Sequence, residues 1–529
     1  MKQELSLKEA IGQMLVVRTS GYLFDNQIRY PAWEADFSSL DRWIKELHIG
    51  GVILLGASAP ELWLKVRQLQ ETAKIPLFIA ADIEEGVGQR FAGATWFPPP
   101  MALGSIAKEN LDLATQLARE LGEITASEAS ALGINWLLAP VVDVNNNPDN
   151  PVINVRSFGE NAEIVGQLAA AFIAGAKSYP VLTTAKHFPG HGDTKVDSHL
   201  NLPVIDCDEI RLKSLELLPF QRAIAAGVDS VMTAHLLISA WDKQLPATLS
   251  KTIIEGQLLQ NLGFTGLVVT DALIMAGVAN YASPEEVAIM AIEAGADILL
   301  MPQDPELTIE AISQAVRSGR LSAARIRESA AKIKAAKNKI ISFPSASSSL
   351  DLLSSLNLDR ARDCIDNILK ASIQTGGAIP ITPATKGGQN IILVDDATNC
   401  SDFLARHTPA IAIPQKLGYS PKLFDRHTFD RYLDLDRPTL LQLFIRGNPF
   451  QDTSDLVAIT KNFLKKRLKN NDLQALLIYG SPYVLEYLKA EIKSPWVFCY
   501  AQMPQAQSIV CQTIFNLSSF VNLNKETFM

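Results

Sequence analysis

At 529 residues the chain is too long for one ordinary core, so two or more domains are expected. Its 47% hydrophobic and 20% charged residues are those of a soluble globular protein. A net charge of −8 without a dense basic block argues against nucleic acid as a partner; KNFLKKRLKN (461–470), the most basic run, reads as one solvated helix face.

The chain opens on MKQELSLKEAIGQML, which is amphipathic and charged and lacks the apolar stretch and small-residue cleavage site of a signal peptide. No segment approaches the ~20 apolar residues of a membrane span. The five cysteines, Cys207, Cys364, Cys400, Cys499 and Cys511, are scattered and form no CxxC pair, so they read as buried reduced thiols. The expected setting is the cytoplasm.

Eight short apolar runs follow in order: GQMLVVR (12–18), GGVILLG (50–56), PLFIAAD (76–82), NWLLAPVVDV (135–144), VLTTAKHF (181–188), DSVMTAHL (229–236), GLVVTDAL (266–273) and DILLMP (297–302). Runs of this kind predict strands buried on both faces. Helix-like segments lie between them, among them 110–133 and 284–296, the latter opened by Ser283 as N-cap and Pro284 at its first position. Eight strands alternating with helices over about 320 residues predict an α/β fold of the TIM (β/α)8 barrel type; a doubly wound open sheet is the alternative. The barrel gains support from the polar residues that end these runs: Asp82, Asp143, Lys186 with His187, His235 and Asp271. That end of a TIM barrel carries the active site.

A helix over 322–339 closes this first unit, and the Ser/Pro-rich ISFPSASSSLD (341–351) reads as a boundary. The predicted organisation is a barrel domain over 1–340, a linker over 341–355 and a second, smaller α/β domain over 356–529. In the latter, strands are predicted at 390–398, 439–447, 473–481 and 496–502, without a dense cluster of catalytic residue types.

The chemistry concentrates in KHFPGHGDTKVDSH (186–199), which holds three of the chain's seven histidines. A metal site from His187, His191, Asp193, Asp197 and His199 is one reading. Two histidines at i and i+4 share a face only on a helix, and Pro189, Gly190 and Gly192 oppose one there. Turn chemistry explains the glycines and the proline, but not a Lys-His pair closing an apolar strand. The third reading is acid/base catalysis: in extended Asp197-Ser198-His199 the carboxylate and imidazole point the same way, so the aspartate can fix the tautomer of a proton shuttle. Asp271, at the end of the seventh strand candidate, is then open as nucleophile, metal ligand or strand-end cap.

Four stretches, DIEEGVGQR (82–90), NPVINVRSFGE (150–160), KHFPGHGDTKVDSH (186–199) and VVTDALIMAGV (268–278), resemble glycoside hydrolase family 3 in its β-N-acetylglucosaminidase (β-hexosaminidase) branch. The resemblance covers about 300 residues, and the KHFPGHG…DSH signature is specific to that branch. It implies that Asp271 is a nucleophile forming a glycosyl-enzyme intermediate, and that His199 is the general acid/base with Asp197 as its partner. Asp82, Arg90, Arg156, Lys186 and His187 would hold the terminal sugar, and His191 would support the loop. The implied activity is that of a retaining exo-β-N-acetylglucosaminidase acting on GlcNAc glycosides, with a place in cell-wall muropeptide recycling, no cofactor and no metal. A β-glucosidase of the same family, phosphate in place of water as acceptor, and a catalytically silent GlcNAc-binding protein are the other readings. The first motif departs from its usual Asp-x-Glu-Gly-Gly-x-Val-x-Arg: Glu85 replaces the first glycine and Gly88 the valine.

Overall fold

A computed structural model describes residues 5–194, 202–340, 348–384, 387–429, 437–447, 454–470 and 472–517. The chain divides into two compact units, Met1–Cys364 and Ile365–Met529. The predicted linker over 341–355 falls within the first of these, and Ser349–Leu353 is a short helix. Among the described residues no helix is long and apolar enough to cross a membrane.

In the first unit eight short strands follow the predicted runs: β1 (Leu15–Ser20), β2 (Gly51–Leu55), β3 (Phe78–Ala81), β4 (Trp136–Leu137), β5 (Thr184–Phe188), β6 (Ser230–Thr233), β7 (Leu267–Thr270) and β8 (Leu299–Leu300). They form two parallel sheets, one ordered β8-β1-β2-β3-β4 and the other β7-β6-β5. Single parallel bridges stand where the sheets adjoin, Trp136 with Leu182 and Val141 with Lys186 on one side, Val269 with Ile298 on the other. The strands are almost wholly buried, as a parallel sheet covered on both faces requires.

Helices connect the strands, and their ends follow the chain's capping residues. Leu111–Leu132 starts where the Asn110 side chain accepts from the Leu113 amide and ends at Gly133, whose φ of 84° favours a residue without Cβ. Pro284–Ala294 opens with Ser283 accepting from the Glu286 amide and Pro284 in the first turn.

The second unit has a six-stranded sheet. In chain order its strands are β9 (Gln374–Gly376), β10 (Gly388–Val394), β11 (Tyr419–Phe424), β12 (Thr439–Ile445), β13 (Leu473–Gly480) and β14 (Trp496–Cys499). The spatial order is β9-β14-β13-β12-β10-β11, all parallel but for β9, which runs antiparallel to β14. Strand β11 was not among the predicted runs. It lies at a sheet edge, is exposed at Ser420, Pro421 and Leu423, and carries a proline, the composition of an edge strand.

Candidate active site

The side chains singled out in the first unit converge at the ends of β3 and β5. Lys186 is 1% exposed, and its Nζ reaches both Asp82 Oδ1 and Glu84 Oε1 at 2.7 Å. Arg156 grips the same Glu84 with two prongs, Nε to Oε2 at 2.9 Å and Nη2 to Oε1 at 2.8 Å, and anchors its Nη1 on the Val152 carbonyl at 3.0 Å. Paired, planar contacts of this kind are the strongest an arginine makes. Burial alone would raise the Glu84 carboxyl, but the charges of Arg156 and Lys186 overcome it and hold it well below its ordinary 4.5. Burial works against Lys186 and Arg156 in the same way, and Asp82 and Glu84 outweigh it, so both cations stay charged.

His187 has its own carboxylate. Its Nδ1 lies 2.7 Å from Asp143 Oδ2, and its backbone amide donates to both Asp143 oxygens at 3.2 Å. The His191 amide donates to Asp143 Oδ1 at 2.7 Å. A carboxylate can only accept, so the proton of that ring bond sits on Nδ1 and Nε2 faces the site, 3.5 Å from Arg156 Nη2. Asp143 is fully buried; burial favours its neutral form, and His187, with the His191 amide, lowers it below its ordinary 3.8 regardless.

The loop that follows β5 is stapled at its stem. Asn150 is buried, donates through Nδ2 to the carbonyls of His191 and Gly192 at 2.8 and 3.0 Å, and accepts the Val152 and Ile153 amides on its Oδ1. Gly192 is required here, since a Cβ at this position would lie 1.6 Å from the Val144 carbonyl oxygen. Asp193 pairs with Arg211 at 2.5 Å. His191 is buried beside Asp143, and that burial pushes it down to about 4. Asp197 and His199 lie outside the described residues.

Asp271 follows β7 directly and is half-buried. Its amide donates to the Thr233 carbonyl at 3.1 Å, and its Oδ1 accepts the Ala272 amide at 2.7 Å. Its charge acts on His191, which puts it within electrostatic reach of the His187–Asp143 group. His235, buried at the end of β6, holds the Ala272 carbonyl through Nε2 at 3.0 Å and so fixes the peptide just after Asp271.

Arg90 stands apart. It is exposed, and its Nε donates to the Asp82 carbonyl at 3.0 Å. The two departures in its motif have structural reasons. Glu85 is buried and accepts the Trp96 indole N–H at 3.0 Å, while Gly88 bonds the Thr95 carbonyl at 2.7 Å so closely that a Cβ there would lie 2.3 Å from the Ala94 oxygen.

Of the eight site residues picked from sequence, Asp82, Arg156, Lys186 and His187 form one contact network, Arg90 touches it through backbone, and Asp271 adjoins it. Two members of the network were not picked, Glu84 and Asp143. Asp143 carried a signal, as one of the polar residues at a strand's C-terminal end. Glu84 carried only its place in the first motif.

The arrangement is a rigid, charged, largely buried set of donors and acceptors beside a strand-end carboxylate, suited to holding a polyhydroxylated ligand against a nucleophile or a base. The family model described as glycosyl hydrolase family 3 N terminal domain matches residues 6–336, and the bacterial glycosyl hydrolase family 3 C-terminal domain matches residues 382–516. A β-hexosaminidase A from Pseudoalteromonas piscicida is 34% identical over 387 residues, covering 66% of this chain and 64% of the relative. A β-N-acetylglucosaminidase/β-glucosidase from Cellulomonas fimi is 32% identical over 301 residues, covering 55% and 52%. The chain thus spans less than two thirds of either relative's own length. A solved family 3 β-N-acetylglucosaminidase from Paenibacillus sp. str. FPU-7 superposes with a TM-score of 0.82 at 30% identity, covering 97% of both chains.

Proposed function

The chain belongs to glycoside hydrolase family 3, and from that premise we propose that it is a retaining exo-β-N-acetylglucosaminidase releasing non-reducing terminal GlcNAc. The observation that carries this reading is the closed network of Asp82, Lys186, Glu84, Arg156, His187 and Asp143 beside Asp271. The relative and the solved structure named above as acting on N-acetylglucosaminides support the choice of sugar. The same reading takes the two sheets of the first unit as one closed (β/α)8 barrel, followed by a second, smaller α/β domain.

In this mechanism the Asp271 carboxylate attacks C1 of the sugar while His199, oriented by Asp197, protonates the departing glycosidic oxygen. A glycosyl-aspartate ester forms and the C1–O bond breaks. His199 then takes a proton from water, which attacks C1 and frees Asp271. Asp82, Lys186, Arg156 and His187 bind the sugar hydroxyls, and Arg90 closes the rim. The setting we propose is the cytoplasm, on muropeptide fragments of the cell wall.

The test is nitrophenol release from 4-nitrophenyl β-N-acetylglucosaminide by wild type, Asp271→Ala and His199→Ala. A nitrophenolate leaves without a proton, so His199→Ala should retain a burst and stall in turnover, while Asp271→Ala should be inactive. Faster turnover of 4-nitrophenyl β-glucoside by wild type would transfer the assignment to a β-glucosidase. Sugar binding without release of nitrophenol from either substrate would transfer it to a binding protein.

A further inference from the structure

Strand register fixes the direction of Arg18, a residue outside the network above. In a parallel sheet, paired residues share a face, as do residues two apart along a strand. Arg18 of β1 pairs with Ile53 of β2, and Ile53 with Ala80 of β3. Asp82 lies two positions beyond Ala80, so Arg18 is on the face of the sheet from which Asp82 meets Lys186.

The Arg18 side chain is 14% exposed, and its Nη2 meets Glu34 Oε1 at 3.3 Å. Its guanidinium also lies 5.2 Å from the ring centre of Tyr30 and 5.5 Å from that of Trp33. These two rings are near-parallel, with 17° between their planes and 6.0 Å between their centres. Backbone bonds tie the same segment to β1: the Tyr30 amide donates to Glu34 Oε2 at 3.3 Å, and the Ala35 amide to the Arg18 carbonyl at 3.1 Å. Yet Tyr30 and Trp33 are left 42% and 43% exposed.

Strand order locates them. β1 lies between β8 and β2; Asp271 follows β7, which bridges to β8 through Val269 and Ile298, and Asp82 follows β3, which pairs with β2. The segment that carries the rings follows β1, and so comes off the sheet between the strands that lead to the two carboxylates. Cation–ring contacts with Arg18, itself paired with the buried Glu34, favour this arrangement of the rings while part of their surface stays open to solvent. The C–H faces of a pyranose are apolar and flat, and suit such rings as an aliphatic or aromatic partner does. The innermost sugar belongs with Lys186 and Asp143, which are buried; rings this exposed belong with the sugar one step further out.

We propose that Tyr30 and Trp33 stack on the sugar at the leaving-group side of the scissile bond, making the enzyme selective for glycosides whose leaving group is a second pyranose. This rests on the glycosidase reading above. The test compares N,N′-diacetylchitobiose, which offers that second ring, with methyl β-N-acetylglucosaminide, which does not.

Trp33→Ala and, separately, Tyr30→Ala should lose about tenfold in kcat/KM on the disaccharide, mostly through KM, the scale of one lost ring stacking. The methyl glycoside should be untouched, and Trp33→Phe should keep most of the disaccharide rate. Equal losses on both substrates, or none on either, would overturn the proposal. Wild type inert on both would sink the glycosidase reading instead. The platform would then stand or fall on whether chitobiose binds wild type more tightly than Trp33→Ala in calorimetry.

Discussion

His187 and Asp143 are bound to each other three times over, through the ring Nδ1 at 2.7 Å and through the His187 amide to both carboxylate oxygens at 3.2 Å. The ring therefore cannot rotate or change tautomer without leaving a buried carboxylate short of a donor. Asp143→Asn keeps the shape but offers an N–H where an acceptor is needed. On the proposed function its kcat/KM should fall about 10- to 100-fold, the cost of disrupting a buried charge-assisted hydrogen bond. Tm should change less than activity does; an unchanged kcat/KM would remove His187 from the site.

Glu84 is the shared anion of two buried cations, Arg156 and Lys186. Glu84→Ala takes from Arg156 its bidentate partner and leaves Lys186 with Asp82 alone, and should destabilise the fold by about 3–5 kcal/mol, read from urea midpoints. The pH dependence follows from its lowered carboxyl. The unfolded chain takes up a proton near 4.5, while the folded one resists until well below. The contribution is whole above 4.5 and is lost as pH falls from there toward the folded value. Glu84→Gln should flatten that acid limb of the Tm curve.

His191 acts in the same direction, over a window at higher pH. Burial pushes it down to about 4 from an ordinary 6.5. Below 6.5 the unfolded state binds a proton that the folded state refuses, so stability should decline between pH 6.5 and 4 by an amount on the order of 3 kcal/mol. Comparing the Tm of wild type and His191→Gln over that window checks it. An NMR titration placing the ring near 6.5 would contradict it.

Arg90 and Arg156 should separate cleanly. Arg156→Ala removes a bidentate partner of a buried carboxylate and should cost about 100-fold or more in kcat/KM. Arg90 is exposed and bonds only a backbone oxygen among its described contacts, so Arg90→Ala should cost about threefold or less. Equal losses would mean that Arg90 touches substrate directly.

Gly88→Val would restore the residue usual at that motif position. The Ala94 carbonyl stands 2.3 Å from where its Cβ must go. The variant should lose on the order of 3 kcal/mol in stability or fail to fold; soluble protein with wild-type Tm would show that the turn can open.

Much of this molecule could be read before any coordinates. The eight apolar runs of the first unit became strands because their composition left them no polar face to present to water. Ser283 and Pro284 began their helix because side-chain capping and a fixed φ are local effects. The contacts that make the site are not local: Lys186 meets Asp82 across 104 positions and His187 meets Asp143 across 44. No periodicity encodes such pairings, which is why neither Glu84 nor Asp143 was assigned to the site, although Asp143 stood out as a polar residue at a strand end. Strand β11 was missed for a different reason, since Pro421 and Lys422 break the apolar run that marks a central strand.

The Asn150 staple joins two segments 41 positions apart. Its amide serves the backbone of both at once, so neither segment has a complete set of hydrogen bonds without the other. For anyone transplanting the 186–194 loop into a related scaffold, the transferable cassette is therefore discontinuous: residues 150–156 have to travel with it.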